Sequence, residues 1–180
     1  MSTTTYLTDA VTLGTGLLLA RLIVGVLMAA HGTQKLFGWL GGYGLAGTAG
    51  FFEQLGFRPG RLFVVTASLS EMLSGILIAL GLFGPVGPAL LLSVMIVAAG
   101  SVHWKNGLFA GTNGVEVPLL YSTGAVALAL TGYGPFSLDA ALGIDHGWTP
   151  ALKAGVLAIG VVGGVLNLLA RRSAAAAATA

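Results

Sequence analysis

The chain has 180 residues, 56% of them hydrophobic and only 8% charged, against roughly 25% charged usage in a soluble domain. Eight Lys and Arg with six Asp and Glu cannot clothe a protein of this size in hydrated side chains, so most of the exterior must face lipid. A soluble enzyme is excluded, and with no cysteine so are thiolate nucleophiles, Fe–S ligation and thiol–disulfide exchange.

Met1–Thr12 has no basic segment ahead of its apolar run, which continues past Arg21, so the start reads as a membrane span rather than a cleaved signal peptide. Glu71 and Lys105 enclose 33 residues free of Asp, Glu, Lys and Arg, and Glu116 and Asp139 enclose 22. A crossing needs about 20 apolar residues. The longer run therefore holds two spans, divided at Gly84-Pro85-Val86-Gly87-Pro88. The predicted architecture is an all-α polytopic membrane helix bundle in one domain, residues 1–172, with spans at about 12–36, 62–83, 87–104, 116–133 and 151–170. An alanine-rich tail, 173–180, is expected to be disordered.

Between the first two spans the 37–61 segment is long for a bundle connection, which favours a function or a packed re-entrant piece. Its Gly42-Tyr43-Gly44-Leu45-Ala46-Gly47 matches GxGxxG but follows a membrane helix rather than a strand, so dinucleotide binding is not expected. Phe51–Phe57 is expected at the interface or capping the bundle. Ser137–Leu142 reads as a capped short interfacial helix, and Thr149-Pro150 as an N-cap with proline at the first helical position. Gly75 with Ala79, and Gly160 with Gly164, are small-residue pairs suited to close helix packing.

Five spans put the 37–61 and 105–115 segments and the C-terminus on one side. That side holds Lys35, Arg58, Arg61, Lys105, Arg171 and Arg172, and the other only Lys153, so the first is expected to be cytoplasmic and the N-terminus outside. Trp39 and Trp104 are expected in an aromatic belt at one boundary, with Tyr133 and Trp148 in a belt at the other.

Arg21 and Glu71 fall inside spans one and two, where a charge facing lipid costs roughly 2.5–3.5 kcal/mol. An Arg21–Glu71 ion pair is the simplest arrangement, either fixing helix register or serving a function. His31 and Lys35 stand one turn apart on span one. At about 100° per residue Lys35 lies some 40° and His31 some 80° around the helix from Arg21, so the three share a sector. His103 closes span three and Glu116 opens span four, with Tyr121 deeper. Such a set can bind an anion or a quinone headgroup and move protons. The plainer reading of Lys35, His103 and Glu116 is snorkelling and interfacial solvation. His31, His103 and Glu116 are the right types for a metal, but nothing in their spacing demands one. Nucleic acid is not an expected partner, since no basic patch with interleaved aromatics occurs.

Arg21, His31-Gly32-xx-Lys35-Leu36-Phe37-Gly38, the glycine-rich 41–47 stretch, Phe57-x-Pro59-Gly60, Glu71 with Gly75 and Leu80-Gly81, Glu116, and Gly134-Pro135-x-Ser137-Leu138-Asp139 together resemble the DoxX family of small integral membrane proteins, over about residues 12–143. The resemblance implies a four-helix membrane core, to which this chain adds a fifth, C-terminal span. The family is similar in part to the membrane subunit of a thiosulfate:quinone oxidoreductase, and some members are linked to a membrane oxidoreductase complex with superoxide dismutase and a sulfurtransferase. The implied location is the cell membrane, a bacterial plasma membrane. The resulting expectation is a redox-linked subunit binding quinone, its candidate cofactor, or a small sulfur oxyanion within the bundle. His31 and Glu71 would transfer protons, Arg21 and Lys35 would hold negative charge, and Glu116, His103 and Tyr121 would shape the mouth. The alternative is a non-catalytic scaffold that recruits membrane or soluble oxidoreductase partners.

Overall fold

The computed structural model describes the backbone of residues 3–171, with side chains from residue 9; the expected disorder of 173–180 lies outside the described residues. The elements are α1 (Thr3–Phe37), α2 (Gly44–Gln54), α3 (Gly60–Leu80), α4 (Val86–Ala98), α5 (Glu116–Thr131), α6 (Leu138–Ala141) and α7 (Pro150–Leu169). Beyond Ala98, α4 continues through a π-helical turn, Ala99–His103, and a 3₁₀ turn, Trp104–Asn106. Among the described residues four helices are long and apolar enough to cross a membrane: Asp9–Phe37, Gly60–Leu80, Val86–Asn106 and Pro150–Leu169.

The main packing is α1 against α3, antiparallel and very close. A Cβ on Gly25 would lie 2.5 Å from the Gly75 carbonyl oxygen, and one on Gly32 would lie 2.6 Å from that of Ser68. The two backbones touch because both faces lack side chains there, as expected of small residues at a membrane helix crossing. These contacts fix the register: position 25 faces 75 and 32 faces 68, so 21 faces 79 and 71 faces 29.

α3 stops earlier than the predicted 83. Gly81 adopts a left-handed φ of 66°, and Leu82 N–H bonds the Leu77 carbonyl at 2.9 Å, the C-terminal stop that glycine permits. α5 likewise ends at Thr131 rather than 133, where Gly132 turns the chain with φ 80°. At 16 residues it is about 24 Å long, short of a hydrocarbon core of about 30 Å, and it packs against α4, α7 and α1. The core joins Met28, Ile78, Leu91, Met95, Ala125, Leu128 and Tyr133 across α1, α3, α4 and the end of α5.

α7 is added outside this four-helix core and packs mainly on α4. Gly160 and Gly164 make that possible, since a Cβ at either would come within 2.5 Å of Ala89 O or 2.8 Å of Ser93 O. Thr149 Oγ1 accepts from Leu152 N–H at 3.3 Å with Pro150 beginning the helix, and Ser137 Oγ accepts from Ala140 N–H at 3.2 Å to cap α6, both as the sequence predicts. Trp39 and Trp104 are exposed near one end. Tyr133 is not a belt residue: it is 4% exposed and part of the core, because the loop after Gly132 turns it inward.

Candidate functional site at Lys35 and Glu71

The expected Arg21–Glu71 pair does not form; Glu71 pairs with Lys35 instead. Register and side-chain direction explain this. Positions 21 and 71 are about 12 Å apart along the antiparallel pair, since 71 faces 29, two turns further on. Helical side chains also lean toward their own N-terminus. On antiparallel helices Arg21 and Glu71 therefore lean away from each other, whereas Lys35 and Glu71 lean toward each other and close their offset.

Arg21 is only 3% exposed and is held at the far end of α3. It donates from Nη1 to the Ala79 carbonyl at 2.6 Å and from Nη2 to the Phe136 carbonyl, while Nε has no partner. Its fork ties the α3 C-terminus to the loop before α6. Glu116 also stands apart from the Lys35–Glu71 centre. Its Oε2 accepts from Ala110 N–H at 2.7 Å, ordering the loop ahead of α5.

The other five candidates are brought together. His31, Lys35, Glu71, His103 and Tyr121 line one cavity of about 210 Å³, walled also by Met28, Met95 and Pro118. Glu71 is 1% exposed on its side chain and Lys35 30%, so the carboxylate belongs to the interior and the ammonium reaches toward the edge. Glu71 Oε2 has no partner, nor does the buried Ser68 Oγ one turn earlier on α3. His31 sets its ring edge-on to Tyr121, with centroids 6.1 Å apart and planes at 78°. The π-helical turn presents His103, a local device often found where a helix carries function. His103 Nδ1 lies 2.8 Å from the Asn113 carbonyl, which only accepts, so Nδ1 carries a proton and donates it there.

A second cavity of about 240 Å³ adjoins the first and shares Lys35, Ala98 and His103 with it. Its far wall is aromatic: Phe52, Phe57 and Phe63 are in series, with centroids 5.7 and 5.2 Å apart. Phe57 is 1% exposed. The segment expected to cap the bundle thus walls one side of this cavity, whose other walls include Thr66, Ser70, Ser93, Ser101 and Asn167. Sequence reasoning missed this chamber, although four phenylalanines within a dozen residues on either side of Pro59 were a usable signal. Among the described residues no three His, Asp or Glu side chains gather as a metal-ligand set.

The geometry defines an integral membrane helix bundle with a buried ion pair opening on two adjoining cavities. The DoxX family model matches residues 16–104, and the chain belongs to the DoxX family. The matched region runs from within α1 into the α4 extension, so it includes Arg21, His31, Lys35, Glu71 and His103, while Glu116 and Tyr121 lie beyond it. No curated protein and no solved structure gives a significant match.

Proposed function

We propose that this protein is a redox-linked membrane subunit whose Lys35–Glu71 cavity binds the head of a quinone or a small sulfur oxyanion. The observation that carries the reading is the ion pair itself: a buried carboxylate with one free oxygen, met by a lysine, in the wall of a cavity rather than in packed core. Buried polar groups in membranes are costly, and such residues mark ligand or proton pathways by default. The neighbouring aromatic chamber suits an apolar tail, since the two cavities share a wall.

In this reading Lys35 supplies positive charge to the ligand oxygen, and Glu71, His31 and His103 hold and pass protons. Quinone takes two electrons and two protons to become quinol. With thiosulfate as donor, two thiosulfates join through a new S–S bond as tetrathionate and release those two electrons, which a partner oxidoreductase would conduct to the cavity. Arg21 and Glu116 leave the proposed ligand set, because neither lines this cavity and each bonds backbone elsewhere.

The test is purification in mild detergent, extraction for bound quinone, and quinone reduction with thiosulfate in the presence of soluble partners. Bound quinone that is lost in Lys35→Met, with the protein still folded, supports the reading. Absence of both quinone and turnover overturns it and leaves the non-catalytic scaffold. The proposed location is a bacterial plasma membrane with the C-terminus cytoplasmic, from the positive charge on the Lys35 side; a reporter fused at Ala180 checks it.

A further inference from the structure

α4 and α7 run in the same direction. A Cβ on Gly160 would meet the Ala89 carbonyl oxygen at 2.5 Å, one on Gly164 that of Ser93 at 2.8 Å, and one on Gly100 the Leu168 side chain at 2.5 Å. The paired positions rise together, so both helices finish at the same end of the bundle, the Lys35 end. Where they finish lies a cavity of about 270 Å³ lined by Gly100, Ser101, Val102, Trp104, Lys105 and Arg171. We propose that it binds the headgroup of an anionic phospholipid.

Charge accounting carries this inference. Two cations, Lys105 and Arg171, line the cavity and no carboxylate does. The Asp and Glu side chains are all placed elsewhere. Glu71 pairs with Lys35, Glu53 accepts from Gly60 N–H at 3.0 Å, Glu116 from Ala110 N–H at 2.7 Å, and Asp139 from Phe83 and Gly84 N–H at 2.7 Å each. Asp145 stands beside His146, and Asp9 lies near the start of α1. Among the described residues the Lys105 and Arg171 side chains make no hydrogen bond or ion pair. Ser101 Oγ donates its proton to the Val97 carbonyl at 2.6 Å, so the donors left to the cavity are the two cations. Together they favour an acceptor with negatively charged oxygens, and the guanidinium fork suits a phosphate.

The surroundings favour a lipid over a dissolved ion. α7 exposes Val162, Leu166 and Leu169, a lipid-facing surface that continues to the last turn before Arg171. Trp104 is 76% exposed, and an indole there sits at headgroup level. A basic pocket between helix ends at that depth has phospholipid phosphate within reach. The π-helical turn divides this site from the Lys35–Glu71 cavity, with His103 lining that one and Trp104 and Lys105 lining this one. The site stands or falls independently of the function proposed there.

The experiment is native mass spectrometry of the delipidated full chain in a mild non-ionic detergent, titrated with phosphatidylglycerol or with phosphatidylcholine of the same acyl chains. One phosphatidylglycerol is expected to bind saturably and several-fold more tightly than phosphatidylcholine. Lys105→Gln/Arg171→Gln should weaken it about tenfold or more, each single variant showing part of the loss. Arg58→Gln/Arg61→Gln removes the same charge from exposed positions near the start of α3, at the same end, and should change affinity less than about twofold. Equal binding of the two lipids, or equal loss in the two charge-neutralised pairs, overturns the proposal. Displacement of phosphatidylglycerol by millimolar inorganic phosphate identifies a free-ion site and overturns the lipid assignment. Helical circular dichroism and monodisperse elution show each variant folded; both cations are exposed and unbonded, so neither substitution disturbs the packing.

Discussion

Removing Lys35 and removing Glu71 will not cost the same, although they are partners in one ion pair. Glu71 is 1% exposed on its side chain and Lys35 30%. Lys35→Met leaves a carboxylate enclosed without its counter-charge, which costs about 3 kcal/mol or somewhat more. Glu71→Gln leaves an ammonium on a flexible stem that already reaches the edge and can snorkel outward, so the cost is about 1–2 kcal/mol. The double variant Lys35→Met/Glu71→Gln removes both charges, and it should be more stable than Lys35→Met alone, which requires a coupling larger than the Glu71→Gln cost, about 2–3 kcal/mol. Unfolding in mixed micelles of increasing sodium dodecyl sulfate, followed by circular dichroism, measures all four proteins. About 3 kcal/mol corresponds to roughly a hundredfold change in the folded-to-unfolded ratio, well within that assay. Equal losses in the two single variants, or effects that simply add, would refute the asymmetric pair.

Arg21→Lys, which replaces a fork by a point donor, should cost about 1–2 kcal/mol because one of the Ala79 and Phe136 carbonyls is left unbonded. In a double-mutant cycle Arg21 and Glu71 should couple by less than about 0.5 kcal/mol, and a larger value in the same unfolding assay would restore the direct pair. Gly25→Ala forces α1 off α3, because the added Cβ meets Gly75 and Ala79 backbone at 2.5 and 2.6 Å; a loss of about 1–3 kcal/mol is expected. Gly155→Ala, with nothing within 4 Å, should be neutral, and equal effects at the two glycines would contradict the described crossing. Asp139→Asn should cost about 1–3 kcal/mol, since an amide has one acceptor oxygen for the two N–H groups of Phe83 and Gly84. Earlier thermal unfolding of the purified variant checks it.

Much of this molecule was legible in the sequence, and the failures share one physical cause. Charge-free runs and glycine-proline breaks place the spans because lipid penalises charge at every position, a one-dimensional rule. Thr149-Pro150 and Ser137 read correctly as caps for a similar reason, their bonds being local. Tyr133 was misplaced because depth along the chain does not tell which way a loop turns after Gly132. Arg21 and Glu71 were paired by approximate depth, which ignores the lean of side chains on antiparallel helices. The grouping of His31, Lys35, His103 and Tyr121 survived, since those residues lie toward one end whatever the exact crossing. The aromatic chamber was not read because α2 is too short to announce itself as a wall.

The glycine crossing and the ion pair are one construction. Gly25, Gly32 and Gly75 bring two backbones into contact, and at that separation no side chain can stand between α1 and α3. Polar groups must then leave the crossing at its ends. Arg21 leans off one end, onto the carbonyls of Ala79 and Phe136; Lys35 and Glu71 converge toward the other, where α4, the π-helical turn and α5 leave a cavity. Small residues that look like mere packing therefore decide which cation Glu71 receives. A helix crossing shifted by about four turns would have delivered Arg21 instead, a guanidinium that never gives up its proton, in place of a lysine able to exchange one. For a site proposed to hold and pass protons, that difference is chemical as well as geometric.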